Sequence, residues 1–199
     1  MQVTTADLRQ RLADALAHSG ADTSDFDLNA NIALPPDRVL TPAAVLVAVR
    51  PHTGTVVLTR RSARLRHHPG QIAFPGGRQD PGDPSLIDTA LREAREEVGI
   101  DTQAVDVLGT LPPHETVTGF EMTPVLAILA GTFKPAPELG EVSEVFEVPL
   151  EHVLNLARYR VEARMWRGQL RRYYAVPFGP YYIWGATARV LRGLAERMR

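Results

Sequence analysis

Three glutamates lie within about one helical turn of each other, Glu93, Glu96 and Glu97. They fall in residues 85–98, where apolar residues recur at helical spacing, so the three side chains share one face of a predicted helix. Like charges at this spacing repel, and the C-terminal end of a helix disfavours anions. Local stability therefore does not favour this arrangement. A bound divalent cation such as Mg²⁺ or Mn²⁺ would remove the conflict, because hard cations prefer carboxylate oxygens.

The segment upstream of this helix adds a second feature, the glycine turn Phe74-Pro75-Gly76-Gly77. Glycine lets the backbone approach a ligand closely, so the Gly77 carbonyl is a candidate further metal ligand. A simpler alternative exists for each feature taken alone. The glutamates could form a solvated charged face with Arg92 and Arg95 as partners, and a Gly-Gly pair is commonly an ordinary turn.

The predicted helix has clear start and stop signals. Ser85 and Asp88 fit a capping box, and Gly99 stands where a C-terminal glycine belongs. Thr4 and Asp7 fit another capping box, ahead of a helix at residues 5–17.

Hydrophobic periodicity and turn signals predict the elements that must position the glutamates. Strands alternate with a few helices, which predicts an α/β fold with helices packed on a mixed β-sheet. Residues 19–38 are predicted to be an irregular lead-in and residues 65–83 mostly loop. Further helices are predicted at 150–157 and 186–197, and strands at 41–50, 55–61, 105–111, 120–129 and 142–149, with 158–166 and 170–176 as a pair.

Composition excludes several classes of protein. The 199 residues suffice for one domain, with residues 1–40 as an N-terminal helix and lead-in to the main domain, 41–199. A formal net charge of -1 argues against nucleic acid or an anionic membrane as partner. The absence of cysteine excludes thiolate metal sites and cysteine nucleophiles. No apolar run is long enough to span a bilayer, and the first residues lack a signal peptide's pattern, so a cytoplasmic protein is expected.

The glycine turn and the glutamate helix together resemble the Nudix box. The helical half matches at every defined position, in Arg92-Glu93-Ala94-Arg95-Glu96-Glu97-Val98-Gly99-Ile100 after Gly77. The loop half departs slightly, because Asp83 replaces the more frequent glutamate and lies one residue further from Arg92 than in the common form. The resemblance implies a Nudix α/β/α sandwich with a mixed β-sheet.

A second pattern, in residues 58–77, resembles the signature of the coenzyme A pyrophosphatase branch of that family, L-T-x-R-S-x-x-L-R-x-x-x-G-x-x-x-F-P-G-G. Every fixed position is met, and weaker matches extend to the C-terminus. The resemblance implies hydrolysis of coenzyme A, a small nucleotide substrate, to 3′,5′-ADP and 4′-phosphopantetheine. Water activated by Mg²⁺ or Mn²⁺ would attack a phosphorus of the pyrophosphate.

The resemblance also implies roles for individual residues. Glu93 and Glu97 would be the primary metal ligands, with Glu96 as a further ligand, directly or through water, and the Gly77 carbonyl joining them. Arg92 would hold the carboxylates in position by a salt bridge. The general base stays open between Glu93 itself and two glutamates expected in a loop over the site, Glu141 and Glu144.

Several arginines precede the glycine turn and suit a substrate with several phosphates. We expect substrate contacts from this cluster and from the turn, and we expect at least one of the arginines to brace the loop instead. The candidate substrate-binding residues are Arg60, Arg61, Arg64, Arg66, Gly76 and Gly77. Aromatic residues near the C-terminus could stack on adenine, but core packing is the expectation for most of them, especially Trp184.

Two other functions remain open. The substrate could be another nucleoside diphosphate derivative, such as ADP-ribose, or a dinucleotide polyphosphate. The chain could also be a non-catalytic Nudix-fold ligand sensor, although such sensors often lose the acidic residues that Glu93, Glu96 and Glu97 supply here. The sequence does not decide the oligomeric state, and a homodimer is one of the states it allows.

Overall fold

Four α-helices and eleven strands follow one another in the computed structural model, which describes residues 4–18, 20–32, 34–35, 37–166 and 168–199. Their order is α1 (Thr5–Ala17), β1 (Thr23–Ser24), β2 (Thr41–Arg50), β3 (Thr55–Arg61), β4 (Ile72–Ala73), β5 (Gly76–Arg78), α2 (Leu86–Val98), β6 (Val105–Thr110), β7 (His114–Glu115), β8 (Phe120–Leu129), β9 (Val142–Pro149), α3 (Leu150–Leu154), β10 (Arg160–Trp166), β11 (Gln169–Ala175) and α4 (Gly185–Arg197). Short 3-10 turns lie at Thr102–Ala104 and Leu156–Arg158.

Strand β2 lies at the centre of a mixed sheet that contains β1 to β9. It pairs in parallel with β8, from Thr41 opposite Phe120 to Val49 opposite Ile128, and antiparallel with β3 and β5. Residues 43–49 of β2 are all buried, as expected of a strand covered on both faces. The outer strands β9 and β6 pair antiparallel with β3 and β8.

Helices cover both faces of this sheet. Alternate residues of β2 point to opposite sides, so Val45 and Val47 join one core while Ala44 and Leu46 join the other. Helices α1, α3 and α4 pack in the first core, and α2 packs in the second. This arrangement confirms the predicted α/β fold, an α/β/α sandwich around a mixed sheet.

Helix α2 begins one residue later than predicted, with Ser85 as its N-cap, and ends at Val98, followed by the C-cap Gly99 in a left-handed conformation with φ 74°. The Ser85 hydroxyl accepts a hydrogen bond from the Asp88 N–H, but the Asp88 carboxylate accepts from that hydroxyl rather than from the Ser85 backbone. The predicted box is therefore only half formed. The box of Thr4 and Asp7 is complete.

Residues 65–83 are mostly loop, as predicted, and the two short strands within them, β4 and β5, pair with β3 and β2. Two predictions of irregular or helical structure need correction. The lead-in contains β1, although Ser19, Ala33 and Pro36 lie outside the described residues. The helix predicted at 150–157 ends at Leu154, because the Asn155 side chain accepts from the Ala157 N–H and starts a 3-10 turn.

Strands β10 and β11 form a separate antiparallel ribbon, as predicted; residue 167 at its tip is not described. Leu8 and Leu12 of α1 are buried in the core that includes α4. The domain boundaries, 1–40 and 41–199, stay a prediction. Within the described ranges, no helix is both long enough and apolar enough to cross a bilayer.

Candidate active site

Glu97 is a buried carboxylate at the interface of α2 with β5, and only 4% of its surface is exposed. Its Oε2 accepts a hydrogen bond of 3.0 Å from the Gly76 N–H, and Arg61 Nη1 lies 3.8 Å from its Oε1. Burial raises the pKa of Glu97 to about 7, against the opposing effects of Gly76 and Arg61. The ionised carboxylate is therefore poorly compensated by the protein alone.

Glu93 lies one turn earlier on α2, against the backbone of Gly77. A methyl group on Gly77 would come within 2.6 Å of the Glu93 carboxyl carbon, so a side chain at that position would displace the carboxylate. Burial also raises the pKa of Glu93. The pairing of β5 with β2 places Gly76 and Gly77 under the two carboxylates.

Arg92 connects three carboxylates around the site. Its Nη1 lies 2.9 Å from Glu93 and 3.0 Å from Glu96, and its Nη2 lies 2.9 Å from Asp83. Hydrogen bonds from Arg92 hold the pKa of Asp83 well below its usual range, and the Thr89 hydroxyl also donates to Asp83. Asp83, the residue that departs from the Nudix box, thus anchors Arg92.

The donor chemistry of the site fits a hard divalent cation. Glu93 and Glu97 offer desolvated carboxylate oxygens beside the backbone of Gly77, and hard cations prefer oxygen ligands. Glu96 is 60% exposed at its side chain and is paired with Arg92. Across the residues that the structure describes, no three Asp, Glu, His or Cys side chains are grouped ready to hold an ion. Binding through all three glutamates would require Glu96 to leave Arg92.

The four arginines of the 58–77 segment do not form one cluster. Side chains alternate along β3, so Arg61 faces Glu97 on α2 whereas Arg60 points to the α4 side. There Arg60 lies 3.3 Å from Glu144 and over the ring of Tyr181. Arg64 and Arg66 are exposed in the loop after β3.

The two candidate bases differ in their surroundings. Glu144 is in β9 rather than in a loop, because its residue pairs with Arg60 in the sheet, and its carboxylate also accepts from the Tyr181 hydroxyl at 2.6 Å. Glu141 lies in the turn before β9, where its carbonyl accepts from the Ser62 N–H at 2.7 Å. Its charge contributes to raising the pKa of both Glu93 and Glu97, so Glu141 is near the site.

A cleft on the α4 side of β3 was not anticipated. It is lined in part by Arg60, Arg164, Tyr182 and Trp184. Tyr181 stacks on Phe146 and so follows the core-packing prediction, but Trp184 is only half-buried. No sequence motif marks Arg164. The alternation of side chains along β3 could have separated Arg60 from Arg61, but nothing local links Arg164 to Trp184.

A mixed sheet between helices, with Glu93 and Glu97 of one helix facing a glycine turn, is the arrangement that the resemblance to the Nudix box implies. Residues 40–167 match the family model described as the NUDIX domain, and the chain belongs to the Nudix family. Nudix hydrolases act on pyrophosphate bonds of small nucleotide substrates and generally use divalent ions such as Mg²⁺ or Mn²⁺.

Two relatives are proteins named "Uncharacterized Nudix hydrolase NudL". The one from Pectobacterium atrosepticum is 44% identical over 179 residues, covering 86% of this chain and 92% of that protein. The one from Salmonella paratyphi B is 48% identical over 155 residues, covering 77% and 80%. Among solved structures, the Nudix domain of Shewanella oneidensis NrtR complexed with ADP ribose matches with a TM-score of 0.52 and 19% identity, over 85% of this chain and 96% of that domain. This likeness shows the fold alone.

Proposed function

We propose that this protein is a metal-dependent pyrophosphohydrolase that cleaves coenzyme A or its derivatives to 3′,5′-ADP and 4′-phosphopantetheine. One observation carries the proposal: the segment 58–77, which resembles the coenzyme A pyrophosphatase signature, meets the glutamates of α2 at two points. Arg61 lies 3.8 Å from Glu97, and Gly77 abuts the Glu93 carboxylate. The signature and the acidic helix would therefore act on the same substrate.

In this proposal Glu93 and Glu97 would hold Mg²⁺ or Mn²⁺, with the Gly77 carbonyl beside them. Glu96 would be a further ligand, directly or through water, and its side chain would have to leave Arg92 to serve as one. A divalent ion held there would supply a Lewis acid and lower the pKa of a water molecule. Gly76 donates its N–H to Glu97 and so fixes the direction of that carboxylate.

Arg92 is a positioning residue in the proposed mechanism. It bridges Glu93 and Glu96, and Asp83 fixes it from the opposite side. This arrangement keeps the glutamates close together although their charges repel. The same bridge restrains Glu96, so a change in Arg92 should alter metal binding before it alters the fold.

The four arginines of the 58–77 segment would have different roles, and three of them would bind the substrate. Arg61 has a buried Nε that lacks a hydrogen-bond partner among the described residues, so it has a donor left for the pyrophosphate. Arg64 and Arg66 are exposed and can reach a phosphate from the loop. Arg60 is already balanced by Glu144, and we assign it the structural role expected of one member of the set.

We assign the proton-accepting role to Glu141 rather than to Glu144. The Glu144 carboxylate is occupied by Arg60 and the Tyr181 hydroxyl. Glu141 is exposed beside Glu93 and Glu97, and its backbone is fixed to Ser62, next to Arg61. A general base must reach the attacking water, and an uncommitted carboxylate at the rim of the site meets that requirement better. Glu93 itself is the alternative.

The proposal extends to the cellular setting. A formal net charge of -1 offers no general attraction to nucleic acid or anionic membranes, which supports a small-molecule substrate as the only partner in the reaction. We place the protein in the cytoplasm, where its nucleotide substrates are found. A homodimer is compatible with this function but is not required by it.

Product analysis tests the proposal. The purified protein is incubated with Mg²⁺ or Mn²⁺ and a panel of coenzyme A, an acyl thioester of it, ADP-ribose and a dinucleotide polyphosphate. We expect 3′,5′-ADP and 4′-phosphopantetheine from coenzyme A, with the highest kcat/KM in the panel. If ADP-ribose or the dinucleotide has the highest kcat/KM, the proposed substrate is wrong, but the proposed reaction, hydrolysis of a pyrophosphate bond, stands. Binding without turnover of any substrate would favour a ligand sensor.

A further inference from the structure

A cleft of about 530 Å³ opens on the side of the sheet where α4 packs. Its walls include Arg60, Gln71, Ile72, Arg164, Tyr182 and Trp184. Volumes of roughly 300–1,000 Å³ are usual for sites that bind small molecules. We propose that this cleft binds the adenosine 3′-phosphate end of the substrate, with Arg164 contacting the 3′-phosphate and Trp184 and Tyr182 contacting the base. The inference rests on the proposed function and assigns its specificity to residues outside the 58–77 segment.

The cleft and the glutamate site share a wall. Arg60 and Arg61 are consecutive residues at the end of β3; Arg60 lines the cleft, and Arg61 contacts Glu97. Gln71 and Ile72 also line the cleft, and the chain runs on from them to Gly76 and Gly77 beneath the glutamates. The two sites lie on opposite faces of the sheet and are joined at the end of β3, so a substrate whose pyrophosphate lies at Glu97 would bring the adenosine that is bonded to it past the loop after β3 into the cleft.

Charge distinguishes Arg164 from the other arginine of the cleft. Arg60 is paired with Glu144, so its positive charge is already balanced. Arg164 is exposed, with its guanidinium 4.0 Å from the centre of the Trp184 ring. In the part of the chain that the structure describes, no carboxylate forms an ion pair with Arg164. A guanidinium with free donors is well suited to bind a phosphate bidentately.

The aromatic wall of the cleft is held in place before any ligand binds. The Tyr182 hydroxyl donates to Glu162 of β10 and lies 3.2 Å from the Tyr173 hydroxyl. The Trp184 ring lies 4.9 Å from that of Tyr173. Exposed aromatic rings stack on nucleobases with about 1–3 kcal/mol per base. Since these rings are already ordered, little conformational entropy would be lost when a purine packs against them beside Arg164.

The ribbon of β10 and β11 places two charged side chains against the aromatic residues of the cleft. Glu162 and Arg164 lie on the same face of β10, two residues apart, and that face meets Tyr182 and Trp184. One residue of the pair fixes the aromatic wall, and the other supplies the positive charge. The ribbon thus acts as the outer wall of a nucleotide subsite.

Discrimination between coenzyme A and dephospho-coenzyme A tests Arg164 directly. Arg164→Gln removes the charge and keeps much of the side-chain length; Arg160→Gln is the matched control, because Arg160 lies on the same face of β10 but outside the cleft. We expect Arg164→Gln to lower kcat/KM for coenzyme A at least about tenfold, the effect of losing a charged hydrogen bond, mainly through KM. Its kcat/KM for dephospho-coenzyme A and all values for Arg160→Gln should stay near wild type.

Two kinetic outcomes would overturn the assignment. If wild type and Arg164→Gln discriminate equally well, the 3′-phosphate is read elsewhere, and Arg61→Ala and Arg66→Ala then show whether the 58–77 segment reads it. If Arg164→Gln weakens both substrates equally, Arg164 supports the fold of the ribbon and does not contact the 3′-phosphate.

A binding measurement separates this inference from the proposed function. The chain has two tryptophans, so Trp166→Phe leaves Trp184 as the only one. We expect 3′,5′-ADP to quench its fluorescence in a titration without added metal, adenosine to quench more weakly, and 4′-phosphopantetheine not to quench. In the double variant that carries both Trp166→Phe and Arg164→Gln, 3′,5′-ADP should quench the fluorescence no more strongly than adenosine. If coenzyme A is not hydrolysed but this pattern is observed, the proposed function fails and the subsite stands. If coenzyme A is hydrolysed and 3′,5′-ADP leaves Trp184 unaffected, the subsite fails alone.

Discussion

Helices α2 and α4 have the same length, 13 residues, and pack on opposite faces of the sheet, yet they bury different chemistry. Helix α4 turns apolar residues such as Leu191 and Leu194 into the core. Its charged pair Arg192 and Glu196 is 3.0 Å apart at helical spacing. Helix α2 packs through the small residues Ala90 and Ala94 and buries the carboxylate of Glu97. Small residues let α2 lie close to the sheet, which brings its glutamates to β5.

This difference indicates which helix stabilises the fold and which carries the chemistry. Burying a carboxylate without a full counter-charge costs free energy, and the acidic face of α2 adds repulsion. Nothing comparable is found in the buried face of α4. Substitutions in the acidic face of α2 should therefore change activity with little loss of stability, and substitutions in the core face of α4 should do the reverse.

The largest expected effect comes from removing the metal. Glu93 and Glu97 cannot by themselves polarise a phosphoryl oxygen, so excess chelator should abolish turnover completely. Adding back Mg²⁺ or Mn²⁺ in excess should restore it, while circular dichroism shows the fold unchanged throughout. Full turnover in excess chelator would contradict the metal-dependent mechanism and, with it, the proposed role of α2.

The second effect contrasts Glu97→Gln with Leu191→Ala. Glu97→Gln keeps the shape of the side chain but removes the charge that balances the cation, so kcat should fall at least ~10³-fold. Its melting temperature in chelator should equal or exceed that of wild type, because the buried charge is gone. Steady-state kinetics and thermal unfolding measure the two quantities. Near wild-type turnover would show that Glu97 is not a principal ligand.

Leu191→Ala is the opposite case. Leu191 of α4 is fully buried in the core on that face of the sheet. Its truncation should lower the free energy of unfolding by about 2–5 kcal/mol. The kcat per folded molecule should stay close to wild type, since Leu191 is remote from the glutamates. A large loss of kcat in the folded fraction would mean that the two faces of the sheet are coupled.

The sequence predicted α2 and its acidic residues well because periodicity, caps and a family motif all agreed there. The bounds of β2, β3, β8 and β9 were also correct, since each is a run rich in apolar or β-branched residues between turn signals. The strands β4 and β5 were missed because their pairing depends on the backbone of β2 and β3, not on their own residues.

The parts of the site that need tertiary contacts were predicted less well. Grouping Arg60 with Arg61 ignored the alternation of β3, which places them on opposite faces of the sheet. Glu144 was expected in a loop although it lies inside a run correctly predicted as a strand. The approach of Arg164 to Trp184 joins residues of β10 and the start of α4, and no local pattern in the sequence records that contact.

The third prediction concerns two neighbouring glycines of β5. A methyl group at Gly77 would meet only the flexible end of Glu93, so Gly77→Ala should keep stability but displace the carboxylate. Displacement of about 1 Å can cost ~10²-fold in rate, and we expect that loss in kcat. At Gly76 the added methyl would overlap the backbone of Ala44 and Val45, so Gly76→Ala should destabilise the fold by at least about 1–3 kcal/mol. Equal effects of both substitutions on stability would show that the Glu93 side chain cannot move aside.

The smallest expected effect is that of Asp83→Asn, which acts on the glutamates only through Arg92. Residues that orient a metal ligand typically contribute about 10–100-fold to activity, and we expect a loss near the lower end, because Arg92 keeps its contacts with Glu93 and Glu96. The effect of Asp83→Asn on the free energy of unfolding should depend on pH. The pKa of Asp83 is lowered in the folded protein, so its ionised form stabilises the fold above the pKa of an unfolded aspartate, about 3.9. This contribution is lost as the pH falls below that value. Urea unfolding in chelator should therefore show wild type more stable than Asp83→Asn at pH 7, with the difference shrinking below about pH 4. A difference that stays constant down to pH 3 would mean that Asp83 supports Arg92 through hydrogen bonding that does not need its charge.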